Sequence, residues 1–306
     1  MTSQLSVVIP AYNSTESLPE LVRQLELVLS PQDEIIIVDD GSKDRTWETI
    51  CGLSSERLRG IRLGRNYGQH AALLAGIRSA CNPVIVTLDD DLQNPPSEIP
   101  TLLQYLDSET DLVFGVPLIS GHSTFRNLTS RVAKHLLASS LSVDHLPQSS
   151  SFRAFRASLR NAFDDRLGPN ISIDALLSWS TTRIRSVEVR HEPRLTGASN
   201  YTTRKLLRYL ADVATGYSTL PLRLATGLGM VTLTFSLGVL IYVVGRPAIS
   251  GESVPGFPFL ASTIAIFSGT QLLVLGILGQ YIGRMHFRVM NKPTYTIAES
   301  TSRLAE

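Results

Sequence analysis

Residues 84–96 read VIVTLDDDLQNPP, an apolar run that stops against three consecutive aspartates. Carboxylates gathered at the end of a buried strand repel one another and resist desolvation, so something must neutralise them. In extended backbone alternate residues share a face, which sends Asp89 and Asp91 one way and Asp90 the other. Two hard oxygen ligands on one side, with no histidine cluster beside them, suit Mg2+ or Mn2+ with phosphate completing the shell.

Working outward from this strand, the first 120 or so residues alternate short β-rich runs with longer amphipathic ones. LSVVIPAY (5–12) reads as a strand, and Leu18, Leu21, Val22, Leu25, Val28 and Leu29 have helical spacing. DEIIIVDDGS (33–42) is a second apolar strand ending in carboxylates, followed by a helix in KDRTWETICGLS (43–54). LRGIRLGRN (58–66) gives a short strand and turn, GQHAALLAGIRSA (68–80) a small-residue helix, and DLVFGVPL (111–118) a further strand. This βαβα order with continuous apolar strands predicts an α/β fold, a mostly parallel sheet covered by helices on both faces. Polar groups follow Val38, Leu63 and Leu88, the carboxyl ends where an open α/β sheet places its ligand. Neither GxGxxG nor GxxxxGK[ST] occurs, and GSKDRT (41–46) only faintly resembles a phosphate loop, which disfavours dinucleotide binding and P-loop hydrolysis.

At 306 residues the chain can hold one large domain or two smaller ones. Lys and Arg total 28 against 27 Asp and Glu, so net charge offers no argument for a nucleic-acid partner. The two cysteines, Cys51 and Cys81, lie far apart in apolar or mixed surroundings and are expected to be buried free thiols, in keeping with a reducing cytoplasm. MTSQLSVVIPAYN lacks the basic, apolar and small-residue regions of a signal peptide, so the start of the chain is expected in the cytoplasm.

Mean hydropathy of +0.10 is mildly high, and the excess is localised near the end of the chain. Leu222–Val244 carries one charge, Arg223, and residues 257–283 carry none; each is long enough to cross a bilayer. Arg204, Lys205, Arg208 and Arg223 flank the entry side and Arg284, His286, Arg288 and Lys292 the exit side, whereas the linker holds only Arg246 and Glu252. Positive-inside bias then keeps both ends on the cytoplasmic side of a multi-pass plasma (inner) membrane protein. The expected organisation is a cytoplasmic domain over 1–220, two membrane helices over 221–284 and a cytoplasmic tail over 285–306. Basic amphipathic helices read at 123–145 and 202–219 are expected to lie on anionic lipid.

Taken together, VVIPAYN (7–13), VDDGSKD (38–44), LGRNYGQHAALLAG (63–76), LDDDLQNPP (88–96), SSSFRAFR (149–156), RLTGASNYTTRKL (194–206) and GQYIGRMHFRVMNKPTY (279–295) resemble the family 2 glycosyltransferases. Within them the resemblance is to the membrane-bound polyprenyl-phosphate sugar transferases, and it implies a GT-A-type, Rossmann-like sheet. It implies inverting transfer from a nucleotide diphosphate sugar, UDP-linked by preference, to undecaprenyl or decaprenyl phosphate at the cytoplasmic membrane face. By this likeness Pro10, Ala11, Tyr12 and Asn13 surround the base, Asp40 lies near the uracil ring with Asp39 close by, and Asn66 and Gln69 reach across the donor cleft. Asp89 and Asp91 hold the metal, Asp90 joins the nucleotide-sugar site without an assigned role, and Gln93 reaches sugar or phosphate, or else caps a local helix. Ser151, Arg153, Arg194, Arg204 and Lys205 meet the acceptor phosphate. That acceptor already carries an ionised oxygen nucleophile, so cationic groups that hold it in line matter more than a strong base.

Three positions depart from the resembling pattern. Asp90 stands where many members of the resembling group carry Ala or Gly, Ser151 where its glucosyltransferase-like branch often has Asp in GDFR, and Asn200 where the frequent GxSKY has Lys. His70 and His191 are as readily structural as functional. The alternatives are a GDP-mannose-dependent polyprenyl-phosphate mannose synthase and a non-catalytic membrane scaffold; a processive synthase lacks support, since no QxxRW motif occurs. The transferred sugar stays open, and the resemblance admits a homotetramer.

Overall fold

Strand β1 (Leu5–Ala11) is buried along its whole length, and its side chains alternate between two hydrophobic layers. Val7 and Ile9 enter one layer with Leu18, Leu21 and Leu25 of helix α1 (Leu18–Val28). Val8 enters the other, against helix α3 (Gln69–Ser79). A strand covered on both faces has no polar side, which is why the sequence here is continuous rather than alternating. The computed structural model describes residues 4–117, 150–163, 172–192, 220–250, 256–290 and 293–301. The helices expected at 123–145 and 202–219, with Arg194, Arg204 and Lys205, lie outside the described residues.

Beside β1 lie β2 (Glu34–Asp39) and β4 (Val84–Thr87), both parallel to it, and β3 (Leu58–Leu63) continues parallel to β2. Strand β6 (Arg153–Arg156) runs antiparallel between β4 and β5 (Leu112–Pro117), and β7 (Ile184–Val189) lies parallel to β5. Strand β8 (Ile297–Ser300) pairs antiparallel with β3. The eight-stranded order is β7-β5-β6-β4-β1-β2-β3-β8, in which only β6 and β8 run against the rest. The mostly parallel α/β sheet is therefore as expected, while β6, β7 and β8 were not read as strands. Helices α2 (Thr46–Gly52) and α4 (Ile99–Gln104) cover the α1 face, and α5 (Ile173–Ser180) joins α3 on the other.

Helix α3 approaches the sheet closely because of Gly76, where an added Cβ would stand 2.3 Å from Val8 Cγ1 and 3.1 Å from Val38 Cγ2. Both cysteines are free as expected, but the expected burial fails: Cys51 and Cys81 are exposed, because Cys51 faces outward from α2 and Cys81 begins the turn into β4.

The chain divides into one compact unit of Met1–Lys205 with Asn291–Glu306 and a second of Leu206–Met290. The end of the chain thus belongs with the first unit, where β8 extends the sheet. The second unit contains helices α6 (Leu220–Ser250) and α7 (Gly256–Val289); α6 continues into the stretch expected to be a linker. Among the described residues one helix is long and apolar enough to cross a membrane, at Ile266–Gly283, with mean hydropathy 1.4 and no burial. A shorter apolar run occupies Leu224–Val239.

Candidate active site

The carboxyl ends of β1, β2 and β4 bring three loops together. After β1, Asn13 adopts φ 56, in the left-handed region that Asn tolerates better than most residues. This turns its amide toward Ser42 Oγ at 2.9 Å, while Asn13 Oδ1 accepts from Lys43 N at 3.0 Å. Ser14 N donates to Thr46 Oγ1 at 2.8 Å, so the first loop is stitched to the DDGSKD turn. Asp44 secures the same junction, accepting from Thr15 Oγ1 at 2.7 Å and Thr46 Oγ1 at 2.5 Å. Tyr12 is left 41% exposed beside this frame, available to a planar ligand, whereas Pro10 and Ala11 remain buried within β1.

Asp39 and Asp40 are both buried but do different things. Asp39 Oδ1 accepts from Ser42 N at 2.9 Å, and Oδ2 faces Arg62 Nε at 3.4 Å. Asp40 accepts from Tyr67 N at 2.7 Å through Oδ1 and from Gly68 N at 2.8 Å through Oδ2. Burial raises its pKa, with these two amides pulling the other way. Asp40, the residue expected near a uracil ring, holds the 64–69 loop with both carboxylate oxygens. Gly41 lets that loop in: at φ +64, a Cβ there would lie 2.5 Å from the Arg65 carbonyl carbon. Asn66 stands exposed on this loop.

Strand β4 ends at Thr87, so the three aspartates beyond it lie in a loop and turn rather than in extended strand, and each finds its own partners. Asp89 accepts from Gln69 Nε2 at 2.7 Å and from Ser151 Oγ at 2.5 Å. Asp90 turns to the first loop, where it accepts from Ser14 Oγ and from Tyr12 N at 3.4 Å. Asp91 Oδ1 accepts from Gln93 N at 3.2 Å. Burial pushes the Asp89 carboxyl up, countered by Ser151 and reinforced by Asp91, and burial pushes Asp90 up to about 6. Leu92, at φ 60, completes the turn in a conformation costly for a branched side chain, the kind of local strain that collects at functional sites.

Such a cluster favours a divalent cation, which would offset the burial that raises Asp89 and Asp90 and the smaller repulsion among neighbouring carboxylates. Among the described residues no group of three His, Cys, Asp or Glu forms a complete protein cage. A cation at Asp89 and Asp91 would need further oxygen ligands to complete its shell, of the kind that water or a phosphate offers.

Arg153, expected to meet an acceptor phosphate, is placed in a buried ion pair. Its side chain is 1% exposed, and its guanidinium pairs with Asp174, donates from Nε to Thr87 Oγ1 at 3.0 Å and lies 6.0 Å from the Phe114 ring centre. The physical reason is helix α5, which starts with Ser172 capping Ala175 N and presents Asp174 in its first turn. Thr87 passes the link on by donating to Ser151 O at 2.6 Å. Arg153 thus braces Ser151 and, through it, Asp89. His70 joins from α3, its Nδ1 accepting from Ile173 N at 3.4 Å; burial lowers its pKa, so it sits here as a neutral imidazole. His191 is bonded through Nδ1 to Asn94 Oδ1 at 3.2 Å. Gln93 contributes its backbone, as its carbonyl accepts from Glu192 N at 2.8 Å.

Sequence reasoning missed Ser14, Ser42, Thr46, Thr87 and Asp174. Thr87 carried a signal, as the one polar residue in VIVT. Asp174 carried a weaker one in SID, a helix-start pattern.

The profile of the family described as Glycosyl transferase family 2 matches residues 6–166. An undecaprenyl-phosphate 4-deoxy-4-formamido-L-arabinose transferase of Pectobacterium carotovorum is 32% identical over 306 residues, covering 97% of this chain and 94% of its own. The protein of the same name from Pseudomonas aeruginosa is 35% identical, over 96% and 89%. Among solved structures, glucosyl-3-phosphoglycerate synthase of Mycobacterium tuberculosis with Mn2+, UDP and glucosyl-3-phosphoglycerate superposes with TM-score 0.52 at 20% identity, covering 70% of this chain and 78% of that one. Its complex with Mn2+ and UDP-glucose gives 0.53 at 19%, over 70% and 77%.

Proposed function

Because the chain belongs to glycosyl transferase family 2, and is therefore a glycosyltransferase, we propose that it moves a sugar from a UDP-linked donor onto undecaprenyl phosphate, with inversion at the anomeric carbon. The observation that carries the acceptor is similarity over nearly the whole length, apolar helices included, to transferases named for undecaprenyl phosphate. The formamido-pentose of those names heads the list of candidate sugars. The uridine donor draws support from the fold neighbours that hold UDP with Mn2+. Two membrane crossings, by α6 and α7, and a cleft on the cytoplasmic side follow from the charge flanks and would set the site beside a lipid phosphate.

Within this reading each loop has a task. Tyr12 offers its exposed ring to the base, and Asn13 and Asp44 fix the loop that carries it. Asp40 holds the 64–69 loop closed so that Gln69 reaches Asp89. Asp89 and Asp91 would hold a Mg2+ or Mn2+ ion, which supplies neutralisation of the diphosphate charge as the bond to the sugar breaks. Ser151 and Gln69 orient Asp89, and Arg153 braces Ser151 from beneath. The acceptor phosphate needs no proton removed, which fits a serine at 151. Cations to hold it would come from Arg194, Arg204 and Lys205.

The test is a donor panel with the purified full chain and undecaprenyl phosphate: UDP-linked formamido-arabinose, UDP-glucose, UDP-N-acetylglucosamine and GDP-mannose. Transfer from a UDP sugar that stops on chelation and returns with Mn2+ is expected, and Asp89→Asn or Asp91→Asn should lower it at least ~100-fold. Transfer only from GDP-mannose, or transfer indifferent to chelation, would overturn the donor or the metal reading respectively.

A further inference from the structure

The chain beyond α7 returns to the sheet edge and touches the nucleotide side of the cleft from behind at two points. Gly64 N donates to Thr296 O at 2.9 Å, and the Tyr67 hydroxyl shares a hydrogen bond with Thr296 Oγ1 at 2.8 Å. Tyr67 and Gly68 are the residues whose amides Asp40 captures, so the 64–69 loop is held inside by Asp40 and outside by Thr296. At the second point Glu299 accepts from Trp47 Nε1 at 3.0 Å and from Arg62 Nη1 at 2.9 Å. The same guanidinium faces Asp39 Oδ2 at 3.4 Å, an oxygen fully buried and with no hydrogen bond of its own. Thr301 locks the register by exchanging hydrogen bonds with Gly60, 2.9 Å to its Oγ1 and 3.0 Å from its amide.

An edge strand needs only backbone pairing to cover β3. Here two side chains of the same segment reach the partners of both nucleotide-side carboxylates, Asp39 through Arg62 and Asp40 through Tyr67. We infer that Thr296 and Glu299 are positioning residues for the donor: affinity for the sugar nucleotide depends on a segment that follows the apolar helices in the chain. The inference rests on the reading of this cleft as a nucleotide site. It makes the tail part of that site's frame.

The experiment uses the full chain in detergent with Thr296→Val, Thr296→Ser and Glu299→Gln, all of which keep the β8 backbone pairing. Three quantities are read: amide hydrogen exchange over 64–69, the Kd for UDP with Mn2+, and KM for donor and acceptor separately. Loss of one net hydrogen bond corresponds to about 2–10-fold. Thr296→Val should speed exchange of the loop and weaken UDP and donor KM by that factor, with acceptor KM unchanged and with Thr296→Ser close to wild type. Glu299→Gln should shift the fluorescence of Trp47 and weaken UDP to a similar degree. Loop exchange unchanged in Thr296→Val, or donor and acceptor KM rising together, would overturn the inference. Failure of the wild type to bind UDP would sink the uridine reading alone, and the loop exchange would then decide the clamp.

Discussion

The ion pair between Arg153 and Asp174 gives the sharpest energetic prediction. Arg153 is 1% exposed and Asp174 19%, so the two ends of the pair have unequal access to water. Removing one partner of a buried pair costs about 3–5 kcal/mol, chiefly because the remaining charge is left without compensation. Asp174→Asn strands the more buried end and should cost about 3 kcal/mol, at the low end because the carboxylate side is already partly hydrated. Arg153→Met leaves Asp174, which water can reach, and puts an apolar chain beside Phe114; about 1–2 kcal/mol is expected. The double variant should be more stable than Asp174→Asn alone. For a unit of this size each kcal/mol moves Tm by about 2–4 °C, so Asp174→Asn should lower the melting temperature by roughly 6–12 °C. Scanning calorimetry of the detergent-solubilised chain measures this, and slowed turnover should accompany Arg153→Met, since Thr87 and Ser151 then lose their brace below Asp89. If Arg153→Met proves the more damaging change, or if the double variant is simply additive, the asymmetry argument is wrong.

Gly41→Ala should loosen the donor loop, because the new Cβ meets Arg65 and Asn66 backbone at 2.5–2.8 Å and the φ of +64 adds ~1–2 kcal/mol of local strain. Faster exchange at Tyr67 and Gly68 with weaker UDP binding is expected, and wild-type protection there would count against the close-approach account. Asp111 gives a pH signature. It accepts from Arg183 at 2.9 and 2.6 Å and from Thr181 Oγ1 at 2.9 Å, and chiefly the Arg183 bonds hold its carboxyl below the usual range. A depressed folded pKa stabilises fully above the unfolded value of about 3.9 and loses that effect as pH falls through the folded one. Asp111→Asn should therefore be less stable than wild type at neutral pH, modestly because Arg183 is 48% exposed, with the gap closing in acid below about pH 4. A gap that widens on acidification would refute the assignment.

What could be read from the sequence tracks how local the cause is. Strands β1, β2 and β4 were legible because burial on both faces forces unbroken apolar runs, and α1 because its stripe repeats at helical spacing. Strand β6, RAFR, has arginine at both ends, and β8, IAES, is mostly exposed; pairing makes them strands, and pairing partners are not written in either segment. The same limit governs the site. A resemblance can point Asp40 at a base or Arg153 at a phosphate, but it does not name the partners within the chain that the topology brings to each charge. For Asp40 that is a loop carried by the next βα unit, and for Arg153 it is the opening turn of α5.

Asp90 shows the converse, a residue without a role in the sequence that acquires one from its neighbours. Three adjacent aspartates would be redundant as ligands, but here each is attached to something different. Asp89 engages α3 and Ser151, Asp90 the β1–α1 loop, and Asp91 its own turn. Replacing Asp90 by Ala or Gly would remove a charge that burial already pushes up to about 6, but it would also free Ser14 and the Tyr12 amide. The added carboxylate therefore joins the end of β4 to the loop that presents Tyr12, so the exposed ring and the Asp89–Asp91 turn are set by one stretch of backbone.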